Sequence, residues 1–440
     1  MAKSTHTLRE PFKSQLEALK IAIPNSSSET STKPFIELLK TLEKFADRQL
    51  AYIESRDNGS QDISWAYTHT LRQVGADWDV ISRAMNQRLN SKLVTRLKQA
   101  DRLCEALLQP AQEAGLCSKG VRVYTYFNKS DLARVMPYAH VALIGIPWTS
   151  LTNDRDLLAV AHELGHFVYW DERLTDKGPR YIDSKIRDDL PLHLKTKQFQ
   201  EGGINEYKQK FGGWIEETCA DIIGCFLARH FIAKSFIDIS LDWNKDNELT
   251  QDDGEHPSPF VRPDIYIHVL NKLDPDKKTK FWTDALSTEW QDAIKKRLAD
   301  RPSALDERDG VWAELKPKVE KLYNEFIFKK PAETKFVPPA GTAPGSGAQQ
   351  EQETDTENLY KQWKKKVTEV NSSKTIPSPA ELYPYDFASE DEWKRWQENL
   401  FNLYDGIKDT NPNCDTCRVA KEIEITVFAG GWTEGPCCIK

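Results

Sequence analysis

No window of this chain is long and apolar enough to cross a bilayer as a helix, and residues 1–25 lack the hydrophobic run of a cleaved leader. Those absences lead us to expect a cytoplasmic protein with no membrane span, with secretion by a route needing no leader left open. Positive charge is not in excess either. The 60 Lys and Arg face 67 Asp and Glu, for a net charge of −7 and a pI near 5.8. That balance argues against a general nucleic-acid binder. Cysteine is sparse before the C-terminus. Cys104, Cys117, Cys219 and Cys225 lie in apolar helical context that suits reduced core thiols. Histidine is scarce as well, with nine in the chain, so any regular spacing among the histidines carries weight.

What is present suggests a chain of two or three domains, since 440 residues can bury a substantial core. The expected fold class is α+β and predominantly helical. Residues 1–118 read as a helical region. Phe35, Leu38, Leu39, Leu42 and Phe45 form one stripe, and Leu89, Leu93, Leu97, Leu103 and Leu107 suggest a long second helix. Polar Asn25 to Thr32 precedes this bundle. Residues 119–330 read as a mixed core. Val121 to Tyr126 alternates and is β-rich, and His140 to Ile146 is a second strand running to Pro147. A strand at the edge of that sheet, somewhere in 132–146, could hold an extended peptide by strand addition. Trp282, Leu286, Trp290, Ile294 and Leu298 mark a helix further on. Residues 331–357, rich in Pro, Gly and Gln, form a linker. A small C-terminal α+β part at 358–440 carries Trp363, Trp393, Trp396 and Phe401, a strand-like Ile423 to Phe428, and Cys414, Cys417, Cys437 and Cys438.

One pentapeptide carries chemistry: His162-Glu163-Leu164-Gly165-His166. Residues four apart on a helix stack on one face, so both imidazoles can reach one metal ion. Glu163, about 100° further round, is kept from ligation and can instead act as a general base toward a water on that metal. Zinc suits this role because it lowers the pKa of its water to about 7. The flanks agree with a helix. Leu157, Ala161, Leu164 and Val168 give a core face, and Asn153, Asp154 and Asp156 supply a cap and first-turn acids. Gly165 costs about 1 kcal/mol inside a helix, which implies that something packs closely there.

A catalytic zinc takes three protein ligands and keeps one position open. The metzincin continuation would place glycine and histidine where this chain has Tyr169 and Glu172. The better source is Trp214-Ile215-Glu216-Glu217-Thr218-Cys219-Ala220-Asp221. Glu217 and Asp221 share a helix face, so one can ligate while the other fixes a ligating imidazole. His162-Glu-Leu-Gly-His166 followed by Glu217-x-x-Ala-Asp221 resembles the gluzincin metallopeptidases. The resemblance spans about 120–275 and implies a zincin-like core with a small sheet, an active-site helix and a glutamate helix. It implies Zn2+ as cofactor, Glu217 as third ligand and Asp221 behind a ligand, with Glu216 as the fallback. His256-Pro-Ser-Pro-Phe-Val-Arg262 resembles an element that follows the glutamate helix in several relatives. His256, Arg262 or Tyr266 would then stabilise an oxyanion, or Arg262 would make a structural ion pair. His230 reads as an ordinary residue of the glutamate helix.

The expectation is therefore a zinc-dependent endopeptidase acting on a protein or peptide substrate, with Glu163 as the catalytic base. Two other classes remain open: a metal-bound scaffold whose C-terminal part binds a partner, and a toxin or effector peptidase. The charged segment 171–212 is a candidate for substrate selection. The four C-terminal cysteines could form a structural zinc site, a disulfide pair or a redox element. Intramolecular regulation, with a tail thiolate reaching the catalytic zinc, is the sharper expectation for them.

Overall fold

The computed structural model describes residues 31–56, 64–117, 120–129, 132–136, 139–171, 203–242, 256–324, 336–338 and 355–373, with scattered positions from 10 to 21. Several sequence expectations lie outside these residues: Glu172, most of the 171–212 segment, most of the linker, Trp393, Trp396, Phe401, the strand at 423–428, and Cys414, Cys417, Cys437 and Cys438. The described chain is mostly helical with one small sheet, an α+β fold. Met1–Asp101 and Gly120–Gly145 fall in one compact unit, and Arg102–Lys119 and Ile146–Ile376 in another.

In the first unit, α1 (Lys33–Arg56) and α2 (Ser64–Arg88) pair through their apolar stripes. Phe35, Leu38, Leu39, Leu42 and Phe45 are all buried, against Tyr67, Val74 and Ile81 of α2. The leucine series makes the expected long helix from Leu93 onward, with Leu89 outside it. Leu89 is 54% exposed in a turn, and Asn90 starts α3 (Ser91–Glu113) by accepting from the Lys92 amide at 2.9 Å, which satisfies an amide with no helical partner. Leu97, Leu103 and Leu107 then point into the interior.

The sheet has the order β1 (Arg122–Asn128), β3 (Val141–Pro147), β2 (Leu132–Val135). β2 and β3 are antiparallel, with Leu132 opposite Gly145 and Val135 opposite Ala142. β3 is the central strand and β2 an edge among the described residues. Arg88 ties this unit together. Its guanidinium donates to Asp101 at 2.8 and 3.0 Å and to the Thr125 carbonyl at 2.7 Å, and it lies over the Phe35 ring. A charge pair this deep holds only because its donors and acceptors find partners.

In the second unit, two short 3-10 turns (Trp148–Leu151 and Asp154–Leu157) lead to α4 (Val160–Asp171). Asn153 does cap, but it caps the second 3-10 turn, accepting from the Arg155 amide at 3.1 Å, and α4 starts six residues later than the cap would suggest. Next come α5 (Gly203–Ala228), α6 (His230–Asp242), α7 (Arg262–Leu273), α8 (Lys280–Arg297), α9 (Pro302–Leu322) and α10 (Asp355–Ser372). Trp282, Leu286, Trp290, Ile294 and Leu298 are buried along α8 as their spacing predicts.

α10 belongs to the same compact unit as α4 and α5. Trp363 is fully buried between the rings of Phe231 and Phe336, and its indole donates to the Asp154 carbonyl at 2.8 Å. Arg155 stacks on Tyr360 at 3.7 Å and pairs with Asp238 of α6 at 2.8 Å. A helix from the start of the sequence's C-terminal part thus grips the turn that precedes α4. No described helix is long and apolar enough to cross a membrane.

Candidate metal centre

The centre begins with two glycines. A Cβ on Gly165 of α4 would lie 2.5 Å from the Ala220 carbonyl oxygen of α5, and one on Gly224 would lie 3.1 Å from the Ala161 oxygen and 3.2 Å from the His162 Cα. Only hydrogen fits at the first contact. The glycines let the two helices approach at backbone distance, and Leu157, Ala161, Leu164 and Val168 bury the flank. This explains the glycine inside the pentapeptide.

On that shared face the structure brings His162, His166 and Glu217 together, and these three could hold a metal ion. The two Nε2 atoms are 3.1 Å apart. Glu217 Oε2 is 3.2 Å from His162 Nε2, and its Oε1 is 3.3 Å from His166 Nε2. Behind each ring stands another carboxylate. Asp221 Oδ1 lies 2.9 Å from His162 Nδ1, and Glu216 Oε1 lies 3.0 Å from His166 Nδ1. An ionised carboxylate only accepts, so on a neutral imidazole it favours the proton on Nδ1 and frees Nε2 for a cation. The two Nε2 atoms and the Glu217 carboxylate face one point, an arrangement that suits a cation. The spacing agrees: ligands about 2.05 Å from a tetrahedral ion stand about 3.3 Å from one another.

The electrostatics point the same way. Burial works against a charged His166, yet Glu217 and Glu216 outweigh it and hold its pKa well above the usual imidazole range. Burial likewise opposes charge on His162, but Asp221 and Glu217 raise its pKa. Glu217 is pulled well below the ordinary carboxylate range by the histidines around it, although burial alone would raise it. The cluster therefore stabilises added positive charge strongly.

Arg262 and Tyr266, both on α7, converge on Asp221. Arg262 donates from Nε to Oδ2 at 3.0 Å and from Nη2 to Oδ1 at 2.7 Å, and Tyr266 donates to Oδ1 at 2.6 Å. Arg262 Nη2 also reaches Glu217 Oε2 at 3.2 Å. Both residues thus serve the fully buried Asp221, whose pKa falls against the burial penalty chiefly because of Arg262. The start of α7 is in turn held by Arg308, which bonds Asp264 and the Phe260 carbonyl. His256, whose side chain is one-third exposed, has Nε2 3.3 Å from Glu217 Oε1. Glu163 sits half-buried on α4, outside the group of three.

His230 is not on the glutamate helix. Arg229 takes a left-handed backbone, φ 55, ending α5, and His230 opens α6 with Nε2 2.8 Å from Thr283 Oγ1. Burial drives its pKa down to about 3, so it stands neutral away from the metal group. Cys104, Cys117, Cys219 and Cys225 are buried thiols. Sequence reasoning treated Glu216 as a spare ligand and overlooked Phe236, whose ring lies 5.3 Å from that of His162 and under Arg262 at 4.7 Å. A shared helix could have suggested a role for Glu216. Nothing local marks Phe236. The chain matches no protein-family model, no curated protein and no solved structure.

Proposed function

We propose that this chain is a gluzincin-like zinc endopeptidase that hydrolyses peptide bonds of a protein or peptide substrate. The observation that carries the reading is the convergence of His162 Nε2, His166 Nε2 and Glu217 on one point, with Glu163 intact on the same helix turn. A zinc ion held by these three donors would keep one position open and supply Lewis acidity, lowering the pKa of a water to about 7 and polarising a carbonyl.

Glu163 takes the proton of the attacking water and returns it to the leaving amine, the usual work of a carboxylate beside such a site. His256, the most exposed basic group at Glu217, donates to the developing oxyanion. Arg262 and Tyr266 are given over to Asp221, which keeps His162 in its ligating tautomer.

The test measures zinc content and cleavage of a peptide library for wild type and Glu163→Gln. Zinc retained with cleavage lost supports the mechanism. Equal cleavage by both proteins removes Glu163 from it. Zinc bound by a wild type that cleaves nothing turns the reading toward a metal-bound scaffold.

A further inference from the structure

The ligating imidazoles are backed by two carboxylates of different character. Asp221, behind His162, is fully buried and fixed by Arg262 and Tyr266. Glu216, behind His166, keeps a side chain 20% exposed, and its Oε1 lies 3.0 Å from Nδ1. Glu216 and Glu217 are consecutive on α5, about 100° apart around the axis. One therefore faces the converging donors, while its neighbour reaches round the outer edge of the His166 ring.

We infer that Glu216 is the positioning residue for His166, holding its proton on Nδ1 and its Nε2 toward the metal; this rests on the metal reading above. The warrant is chemical. A neutral imidazole has two tautomers and can present either nitrogen, and only a hydrogen-bond acceptor on Nδ1 commits Nε2 to ligation. A carboxylate there also raises the basicity of the opposite nitrogen, which strengthens the metal bond. α5 thus supplies a ligand and both of the carboxylates behind the histidines within six residues, at 216, 217 and 221. α4 needs only its two histidines and the glycine that lets α5 come close.

The test uses the full-length chain and two readouts: zinc affinity by competition with a chromophoric chelator, and the visible absorption of the Co2+-loaded protein. Glu216→Ala is expected to weaken zinc binding about 10- to 100-fold and to alter the Co2+ bands as His166 loses its fixed orientation. Glu216→Gln keeps an oxygen for Nδ1–H to donate to, and should retain wild-type bands with a loss of only several-fold. Metal-free Glu216→Ala should melt with the wild type, because a part-exposed side chain leaves no buried hole. Wild-type affinity and bands in Glu216→Ala overturn the inference. So does a result in which Glu216→Ala binds no zinc while Glu217→Ala still does, since Glu216 would then itself be the ligand. A wild type that binds neither Zn2+ nor Co2+ overturns the underlying metal reading together with it.

Discussion

Gly165 and Ala220 face each other across two helices so closely that a methyl group on the glycine would stand 2.5 Å from the Ala220 oxygen and 2.7 Å from its Cα. Both contact atoms are backbone, so neither can step aside as a flexible side chain would. Gly165→Ala, which would raise helix propensity by about 1 kcal/mol at an ordinary site, should instead destabilise by about 1–3 kcal/mol through overpacking. On the proposed metal reading it should also lower zinc occupancy, because it forces the helix carrying His162 and His166 away from the helix carrying Glu217. Gly310→Ala on α9, where nothing lies within 4 Å, is the control and should stabilise by about 0.5–1 kcal/mol. Thermal melts and metal analysis of both variants decide it; equal stabilisation by the two would show that the close approach is not real.

Removing Arg262 should leave Asp221 buried and charged without its guanidinium, with the Tyr266 hydroxyl and the His162 ring still against it. We expect Arg262→Ala to cost about 3–5 kcal/mol in denaturant unfolding. Arg262→Lys should recover only part, since an ammonium cannot reproduce the forked donation to both carboxylate oxygens. A loss for Arg262→Ala below about 0.5 kcal/mol, the range of an ordinary surface change, would place Arg262 outside the network.

Trp363→Ala is expected to destabilise by about 3–5 kcal/mol, as for other large buried aromatics. Trp363→Phe keeps the ring but leaves the Asp154 carbonyl without its indole donor, at about 1 kcal/mol. Because Asp154 belongs to the turn leading into α4, the proposed metal reading expects the alanine variant also to lose zinc more readily on dialysis. Unchanged stability in Trp363→Ala would mean that α10 does not sit where it is described.

His230 links stability to pH. Its pKa falls from about 6.5 when unfolded to about 3 in the fold, because of burial and nearby Arg229. The unfolded chain therefore takes up a proton that the native state refuses. This contribution is intact above about pH 6.5 and is lost as pH falls from there toward 3, by about 1.5–2 kcal/mol between pH 6.5 and 5. His230→Gln, which can still bond Thr283, should flatten the acid limb of a stability–pH curve by that amount. Superimposable limbs would be evidence that His230 titrates normally.

Much of the centre was legible because its chemistry has a fixed helical spacing. His162 and His166 are four apart, as are Glu217 and Asp221, and each pair needs only a helix to share a face. The glycine at 165 announced a close neighbour through its cost, though not which one. What could not be read lies in contacts between elements. The Leu89 to Leu107 series has helical spacing, yet Leu89 falls in the turn before α3, where Asn90 accepts from the Lys92 amide, while the other four lie on α3. His230 continues the periodicity of α5, and the break at Arg229 is a left-handed residue without a glycine to signal it. Glu216 beside Glu217 looked redundant because sequence gives no direction to a side chain until its partner helix is placed. Arg262 reads from sequence as an oxyanion donor or a structural ion pair without a stated partner, and the geometry of α7 pairs it with Asp221.

The corner at Arg229 has a further consequence. Held with its Nη1 donating to the Leu273 carbonyl at 3.2 Å, it separates α5 from α6, and α6 lays Phe236 against His162, Arg262 and Tyr266 at once. A hydrocarbon wall there excludes water from one side of three charged or ionisable groups, and their mutual attraction is weakened less than it would be in solvent. On the proposed metal reading, the affinity of this centre for a cation thus depends partly on Phe236, a residue that offers no ligand atom.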